Sequence, residues 1–446
     1  MFKRILIANR GEIAVRIMRA CQEMGIETVC VYSTADKDAP YLKLADRAIC
    51  IGPGPARESY LNIPRIISAA EIADVDAIHP GYGFLSENAH FASVCRDCKI
   101  EFIGPTPEAM AKLGDKVACK QTAKENKVPI FPGSDGAIED EEEAVKVAEK
   151  IGYPVIIKAA AGGGGRGMRV CRNEATLRSS IKQAQQEAAA AFGNGAVFIE
   201  KFLEHARHIE VQTIGDKHGH AVHLYERDCS LQRRHQKVIE EAPAPGLDRK
   251  KRENVCEAAA RLIKAAGYHG AATVEFLMDD RQNFYMLEVN TRVQVEHPVT
   301  EQITGIDIVK TTIRVAAGEP LPFRQKDIKI NGHAMECRIN AEDPDKGFRP
   351  SPGLITRFDP PGGPGVRMDT HVINGYAVPP NYDSMIAKLI CHADTRDECM
   401  DRMKRALREF NVEPIKTVIP LHLRMMDDGP FRKGGIDIHY LERLLK

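Results

Sequence analysis

The chain has 446 residues, enough for about two to four domains with sizeable hydrophobic cores. Its 62 Lys and Arg residues balance 62 Asp and Glu residues, so no overall basic field indicates binding to nucleic acid or to an anionic membrane. No apolar run reaches the about 18 residues of a membrane span, and the strand-like start after Met1 does not resemble a signal peptide. Twelve cysteines are scattered through apolar runs, a pattern that is typical of reduced thiols and predicts a cytoplasmic protein.

The first hundred or so residues alternate strand-like and helix-like segments. An apolar run at 5–8 is followed by apolar residues at helical spacing over 11–25, and a second apolar run follows at 28–32. The alternation continues to residue 103. Repeated strand–helix–strand units predict a parallel sheet that helices cover on both faces.

The pattern changes after about residue 108. Helical spacing over 115–126 and 141–152 leads into a strand at 155–158, and strands then dominate as far as residue 289. These segments predict a mixed α+β domain of roughly two hundred residues. A proline-rich stretch at 318–322 indicates a linker, and a third unit with its own strands is expected to follow.

A run of glycines at 162–165 and 167 is the strongest local signal. Backbone N–H groups that no side chain obstructs are well suited to polyphosphate oxygens. The run lies between strand-like segments at 155–158 and 168–171, which favours a hairpin lid over the alternative, a flexible connector. It matches neither the P-loop nor the dinucleotide fingerprint. Lys158, at the end of the first strand, needs an anionic partner, and the sequence therefore predicts phosphate binding here.

Two carboxylates form a second candidate site. If the hairpin over 273–290 turns about residues 281–282, Glu275 and Glu288 lie directly opposite each other, where two bare carboxylates repel. A divalent cation would relieve that repulsion, and strand alternation places Asn290 on the same face as Glu288. Oxygen ligands on an open site suit Mg²⁺ or Mn²⁺. The alternative is a pair of unrelated glutamates at a sheet edge.

Three further segments contain groups that could take part in chemistry. In the segment 292–298, Arg292 could hold a small oxyanion and Glu296 could act as a base, although an ordinary polar loop has the same spacing. The basic segment 232–237 is interpreted as an anion-lining loop, because no aromatic residues are interleaved as in nucleic-acid patches. Cys95 and Cys98 form a lone Cys-x-x-Cys, which is interpreted as coincidental.

Together these residues resemble the biotin carboxylase family of ATP-grasp enzymes. The similarity spans nearly the whole chain and is strongest in the long ungapped segments 7–14, 79–88, 227–237, 290–298 and 382–389. The resemblance implies an α/β and α+β multidomain fold. Its parts would be a Rossmann-like N-terminal domain over 1–114, an ATP-grasp domain with a glycine-rich lid over 115–325, and a C-terminal biotin carboxylase domain over 326–446.

The resemblance also implies roles for individual residues. The implied nucleotide contacts are Lys116, Lys158, Gly163, Gly164, Gly165, Gly167, Glu200, Lys201, Leu203, His208, His235, Glu275 and Glu288. The implied metal ligands are Glu275, Glu288 and Asn290. The implied bicarbonate and biotin contacts are Lys237, Arg292, Gln294, Val295 (through its backbone), Glu296 and Arg338. Four of these, Glu296, Arg338, Arg292 and Lys237, are the implied catalytic residues.

The reaction that the resemblance implies is carboxylation of biotin with ATP and bicarbonate, assisted by Mg²⁺ or Mn²⁺. Glu296 would deprotonate bicarbonate, which attacks the γ-phosphate to give carboxyphosphate. Release of CO₂ leaves a phosphate that removes the ureido proton of biotin, and Arg338 balances the charge of the resulting enolate. The sequence contains no Ala-Met-Lys-Met-like turn, so biotin is expected on a separate carrier protein, which also implies carboxyltransferase subunits. A homodimer is expected, with neither nucleic acid nor membrane as a partner.

Alternatives remain open at this point. The implied role is the first half-reaction of acetyl-CoA carboxylase, in fatty acid synthesis, but pyruvate and propionyl-CoA carboxylases use the same component. A different ATP-grasp ligase would lack the pairing of the segment from Arg292 to Glu296 with Arg338. A nucleotide-binding regulatory subunit would not need intact acid–base residues.

Replacing two glycines of the run, Gly163 and Gly164, with valine should raise the Michaelis constant for ATP or lower turnover, because the added side chains obstruct closure over the nucleotide. Steady-state kinetics at varied ATP concentration measure this. Unchanged ATP kinetics in the double variant would indicate that the glycine run is a flexible connector and not a phosphate-binding lid.

Overall fold

The structure is a computed structural model that describes residues 1–134, 136–138, 140–159 and 168–446. The implied nucleotide contacts Gly163, Gly164, Gly165 and Gly167 lie outside the described residues. Within the described ranges, no helix is both long enough and apolar enough to cross a membrane.

The first part of the chain folds as the alternating α/β unit that the sequence predicts. Its elements are β1 (Arg4–Ile7), α1 (Gly11–Glu23), β2 (Glu27–Tyr32), β3 (Arg47–Cys50), α2 (Ile63–Ala73), β4 (Ala77–His79), α3 (Ala89–Asp97), β5 (Glu101–Phe102) and α4 (Pro107–Gly114). The five strands form a parallel sheet in the order β3-β2-β1-β4-β5. Because consecutive apolar residues such as Ile5, Leu6 and Ile7 are all buried, both faces of the sheet are covered.

A small antiparallel unit follows. Its elements are α5 (Lys116–Glu125), α6 (Glu141–Ile151), β6 (Val155–Ala159), β7 (Met168–Cys171), α7 (Glu174–Phe192) and β8 (Val197–Lys201). The strands pair in the order β7-β6-β8, with Lys158 opposite Met168. The two strands that flank the glycine run therefore pair with each other, and the predicted hairpin is confirmed.

The rest of the chain is built on one large sheet with three small two-stranded sheets. The main elements are β9 (Arg207–Gly215), β10 (Ala221–Arg233), β11 (Gln236–Ala242), α8 (Arg249–Ala265), β12 (Gly270–Met278), β13 (Phe284–Asn290), α9 (His297–Thr304), α10 (Ile308–Ala316) and β14 (His333–Asn340). Then come β15 (Glu342–Asp343), β16 (Arg349–Pro350), β17 (Gly353–Leu354), β18 (Arg357–Asp359), β19 (Val366–Thr370), β20 (Ala377–Val378) and β21 (Met385–Ala393). The chain ends with α11 (Arg396–Glu409), β22 (Asn411–Glu413), α12 (Ile419–Asp427), α13 (Gly429–Lys433) and α14 (Tyr440–Leu444). The two-stranded sheets are β15-β16, β17-β20 and β18-β22.

Eight of these strands form a single antiparallel sheet in the order β13-β12-β9-β10-β11-β14-β21-β19. The sheet continues across residues 325 and 326, where the sequence predicts a domain boundary, because β11 pairs with β14. The chain after the linker has its own strands, as the sequence predicts, and three of them, β14, β19 and β21, extend the sheet of the preceding unit. The boundaries at residues 114 and 325 stay a prediction. The shared sheet places side chains of β9–β13 and of β14, β19 and β21 within one continuous surface.

The β12–β13 hairpin shows how register places the carboxylate pair. Met278 pairs with Phe284, so the turn is centred on Arg281 and not on residues 281–282 as predicted. One extra residue in β13, between the partners of Phe276 and Glu275, then shifts the register by one. Glu275 consequently lies opposite Glu288, and this predicted pairing is confirmed.

Candidate active site

The ammonium group of Lys237, near the start of β11, lies among three carboxylates from three other segments. It donates to Glu210 of β9, to Glu275 of β12 at 3.1 Å, and to Glu296, at the N-terminus of α9, at 2.7 Å. Burial alone would lower the pKa of Lys237, but the charges of these carboxylates raise it well above its ordinary value. Lys237 therefore stays charged and neutralises part of a strongly acidic pocket.

Glu296 is held from its other side by Arg338 of β14. The Nη2 of Arg338 donates to Glu296 Oε2 at 2.9 Å, and its Nε donates to Glu240 at 2.5 Å. Burial alone would raise the pKa of Glu296, but Lys237 and Arg338 hold it below its ordinary value despite the nearby charge of Glu210. Glu296 is therefore ionised at neutral pH, the form that a general base requires.

Glu275, Glu288 and Asn290 surround the predicted metal position. The amide nitrogen of Asn290 donates to Glu275 Oε1 at 2.8 Å. Glu275 is buried and Glu288 is exposed, yet the surrounding protein and the negative charge of Glu275 raise the pKa of Glu288. The repulsion expected between the pair is thus present in the structure. Carboxylate and amide oxygens on a partly open site fit Mg²⁺ or Mn²⁺.

The segment from Arg292 to Glu296 is tied to its surroundings at each implied contact residue. Arg292 donates through Nε to Glu87 and through Nη2 to the side-chain oxygen Oδ1 of Asn290, both at 2.9 Å. Gln294 donates to Glu275 at 2.8 Å, and the Val295 carbonyl accepts from Lys388 at 2.9 Å. The guanidinium, the amide and the base are therefore held in one fixed constellation.

Two of the implied nucleotide contacts, Lys158 and Glu200, lie on the paired strands β6 and β8. The ammonium of Lys158 donates to Glu200 at 2.5 Å, and Lys120 donates to the same carboxylate. Burial, together with the charges of Lys120 and Lys116, lowers the pKa of Lys158 to about 8. Three lysines that repel one another are suited to polyphosphate.

The remaining implied nucleotide contacts lie at several separate positions in the structure. Lys201 donates to the carbonyls of residues 152 and 153 at 3.0 and 2.9 Å, and Leu203 follows the end of β8. His208 Nε2 lies 3.2 Å from Glu275, whose charge raises the pKa of His208 to about 9 against the effect of burial. His235 is exposed in the turn between β10 and β11. The basic segment 232–237 is therefore a hairpin turn, of which Lys237 reaches the pocket.

Several residues of the site are not predicted from the sequence. Glu210 follows His208 by two positions on β9, and strand alternation could have identified it as a neighbour on the same face. Arg227 has no solvent exposure and donates to Glu210 at 3.0 Å and to Gln294 at 2.7 Å. Glu240 and Glu87 were also missed, because their partners lie 98 and 205 positions away along the chain.

The arrangement joins a lysine-rich pocket for phosphates, an oxygen-ligand metal position and a clamped carboxylate base. Together with the β6–β7 hairpin and the large antiparallel sheet, these features define an ATP-dependent ligase with an ATP-grasp fold.

Comparisons with known proteins agree with that class. "Biotin carboxylase, N-terminal domain" matches residues 1–110, "Carbamoyl-phosphate synthase L chain, ATP binding domain" matches residues 115–324, and "Biotin carboxylase C-terminal domain" matches residues 336–443. The chain is 56% identical over 446 residues to a biotin carboxylase of Haemophilus influenzae, covering 100% of this chain and 99% of that protein. It is 55% identical over 443 residues to biotin carboxylase 1 of Bacillus subtilis, covering 99% and 98% of the two chains.

Two solved structures extend the likeness to the fold. A biotin carboxylase–beta-gamma-ATP complex from Campylobacter jejuni matches with a TM-score of 0.94 and 54% identity, covering 99% of both chains. The biotin carboxylase domain dimer of the Hydrogenobacter thermophilus 2-oxoglutarate carboxylase, in complex with MgADP and bicarbonate, matches with a TM-score of 0.92 and 50% identity, covering 99% and 98%. The chain belongs to the biotin carboxylase family. The resemblance, the three-part architecture and the expectation of an ATP-dependent ligase are confirmed.

Glu288→Lys should abolish metal-dependent ATP hydrolysis while the fold survives. The substitution places a fixed positive charge beside Glu275, where a cation has to bind, and Glu288 is exposed, so no core rearrangement is needed. Bicarbonate-dependent ATPase at varied Mg²⁺ concentration measures the effect, with circular dichroism as the test of folding.

Asp280→Lys is the matched control for this variant. Asp280 is exposed in the turn of the same hairpin, and its substitution changes the net charge by the same amount. We expect a normal rate from it. Near-normal Mg²⁺-dependent ATPase in Glu288→Lys would contradict the metal assignment.

Proposed function

We propose that the chain uses ATP and bicarbonate to carboxylate biotin on a separate carrier protein, through carboxyphosphate. The observation that supports this most directly is the position of Glu296, whose two carboxylate oxygens are held by Lys237 and Arg338. A base for bicarbonate and a cation for the biotin enolate are thereby adjacent. Both half-reactions can use one pocket without a large displacement of the base.

In the first half-reaction, Glu296 accepts the bicarbonate proton, while Arg292 and Gln294 orient the anion. Gln294 is suited to this role because its side-chain oxygen Oε1 accepts from Arg227, which fixes the direction of its side-chain amide group. Lys237 keeps Glu296 ionised before bicarbonate enters. Positioning and charge stabilisation supply most of the catalysis expected for such a phosphoryl transfer.

The residues at the hairpin fit a divalent cation. Glu275, Glu288 and Asn290 would hold Mg²⁺ or Mn²⁺, which when bound neutralises phosphate charge. At the nucleotide end, Lys158 and Lys116 place positive charge where the phosphates are proposed to lie. This chain's own contribution there is to orient the nucleotide and to exclude water.

In the second half-reaction, Arg338 balances the negative charge of the biotin enolate. Its guanidinium is buried between Glu240 and Glu296, and their charges raise its pKa above its ordinary value despite the burial. It therefore remains protonated throughout the cycle. Because the planar guanidinium has several N–H donors, Arg338 can keep its hydrogen bond to one carboxylate while the donor that held the other carboxylate binds the substrate.

The acyl acceptor and the partners extend the proposal beyond the site. We assign the chain to the first half-reaction of acetyl-CoA carboxylase, in fatty acid synthesis, with a biotin carboxyl carrier protein and carboxyltransferase subunits as partners. A structural neighbour at 51% identity, described as the biotin carboxylase subunit of pyruvate carboxylase, keeps pyruvate carboxylase as the second candidate. We also propose a homodimer, since one neighbour is described as a dimer.

A cytoplasmic location completes the proposal. All twelve cysteines lie in described segments and are free thiols, ten of them buried. Free thiols in this number fit a reducing compartment.

Arg338→Ala should reduce biotin carboxylation by about 10²–10³, corresponding to about 2.7–4 kcal/mol for one lost charge-assisted contact. Bicarbonate-dependent ATPase should remain measurable, because Lys237 still holds Glu296. Glu296→Ala should lose both activities, since without a base no carboxyphosphate forms. ADP release and carboxybiotin, measured side by side, separate the two variants.

Arg338→Lys serves as the control for charge alone, because it keeps the cation and loses the fork. It should carboxylate biotin at a rate between those of Arg338→Ala and the wild type. Equal loss of ADP release and carboxybiotin in Arg338→Ala would contradict this division of roles.

A further inference from the structure

Lys388, on β21, is a buried cation to which neither the sequence analysis nor the proposed mechanism assigns a role. Its side chain has no solvent exposure. Its ammonium lies 2.9 Å from the Val295 carbonyl oxygen, 3.1 Å from Glu12 Oε2 and 3.9 Å from Asp369 Oδ2. A buried ammonium is stable only when it is paired and hydrogen-bonded, so these contacts fix its position closely.

The register of the large sheet places Lys388 directly beside Arg338. The two residues are cross-strand partners on β21 and β14, and Asp369 on β19 is the partner of Lys388 on the other side. Directly opposite residues point to the same face of a sheet. Arg338 reaches the carboxylate of Glu296, and Lys388 reaches the carbonyl of Val295. Two neighbouring cations therefore hold consecutive residues of the segment that contains the base.

Glu12 connects this pair to the first part of the chain. It is buried at the start of α1, and its other oxygen accepts a hydrogen bond from the phenol of Tyr82. Val295, Lys388 and Glu12 come from three distant parts of the sequence that meet at one ammonium group. Because a buried ion pair tolerates little displacement, a shift of any one of them would move the Val295 backbone.

We propose that Lys388, held by Glu12, is a positioning residue that fixes the Val295 backbone and thereby sets Glu296 between Lys237 and Arg338. This inference rests on the proposed function, in which Glu296 is the base for bicarbonate. Lys388 itself touches no substrate in this assignment. It acts through the main chain of the segment that surrounds bicarbonate.

A purely structural role for Lys388 has a different kinetic signature. Loss of general stability would reduce the amount of active enzyme and leave both Michaelis constants unchanged. Displacement of residues 294–296 would weaken the bicarbonate site selectively. Among the implied ATP contacts, Glu275 accepts from Gln294, but Lys158 and Glu200 lie on a different sheet, the one formed by β6–β8. The part of ATP binding that depends on Lys158 and Glu200 is therefore an internal reference within each variant.

The experiment compares Lys388→Met, Glu12→Gln and the control Arg252→Met with the wild type in bicarbonate-dependent ATPase. Methionine keeps the length of the side chain and removes its charge. Arg252 on α8 is a mostly buried cation, paired with the buried Glu226 at 2.7 Å, and it has no place in the proposed site. Initial rates are measured at varied bicarbonate and at varied ATP, on folded protein quantified by circular dichroism.

We expect Lys388→Met to raise the Michaelis constant for bicarbonate by about tenfold and to lower kcat by about 10- to 100-fold, the cost of a misplaced reactive group, while the constant for ATP stays within about twofold. Glu12→Gln should show the same selectivity with a smaller change. Arg252→Met should leave the Michaelis constants for bicarbonate and ATP unchanged.

Unchanged constants in folded Lys388→Met, or equal rises in the constants for bicarbonate and ATP, would overturn the positioning role. If Lys388→Met does not fold, Glu12→Gln decides by the same criterion. A wild-type protein without any bicarbonate-dependent ATPase would instead overturn the proposed function, and that outcome is seen before any variant is compared.

Discussion

The ionised carboxylate of Glu296, held between the ammonium of Lys237 and the guanidinium of Arg338, is the interaction on which the rest of the site depends. A buried carboxylate is costly unless it is paired, and here two cations offset the loss of solvation. Each cation has a second role. Lys237 also balances the charges of Glu210 and Glu275 on the metal side, and Arg338 is proposed to balance the charge of the biotin enolate. The positive charge that keeps Glu296 ionised and the positive charge that the substrates need are thus supplied by the same groups.

The continuous eight-stranded sheet makes this arrangement possible. Lys237 lies on β11 and Arg338 on β14, and these two strands pair across the position where the sequence predicts a domain boundary. If the chain after residue 325 had formed a separate sheet, the base Glu296 and the cation Arg338 would belong to separate structural units. The first part of the chain contributes through Glu87, which holds Arg292, and through Glu12, which holds Lys388.

Local pattern was sufficient to predict the elements and the carboxylate pair, because alternation and spacing are properties of a single segment. The register of Glu275 with Glu288 was predicted correctly, although the turn is centred one half-residue earlier and a bulge in β13 restores the pairing. A bulge depends on packing against neighbouring strands, which a hairpin's own sequence does not reveal. Buried cations such as Arg227 and Lys388 were missed for a related reason. Their partners lie far away in sequence, and their burial follows from the assembled sheet.

The most direct test of the central claim is ATP-dependent fixation of labelled bicarbonate onto free biotin by the purified protein. If Glu296 acts as a base beside Arg338, acid-labile labelled carboxybiotin should form only when ATP, a divalent metal and biotin are present together. One ADP should be released for each carboxyl group transferred in the coupled reaction. ATP hydrolysis that is independent of bicarbonate, with no label transferred to biotin, would contradict the account.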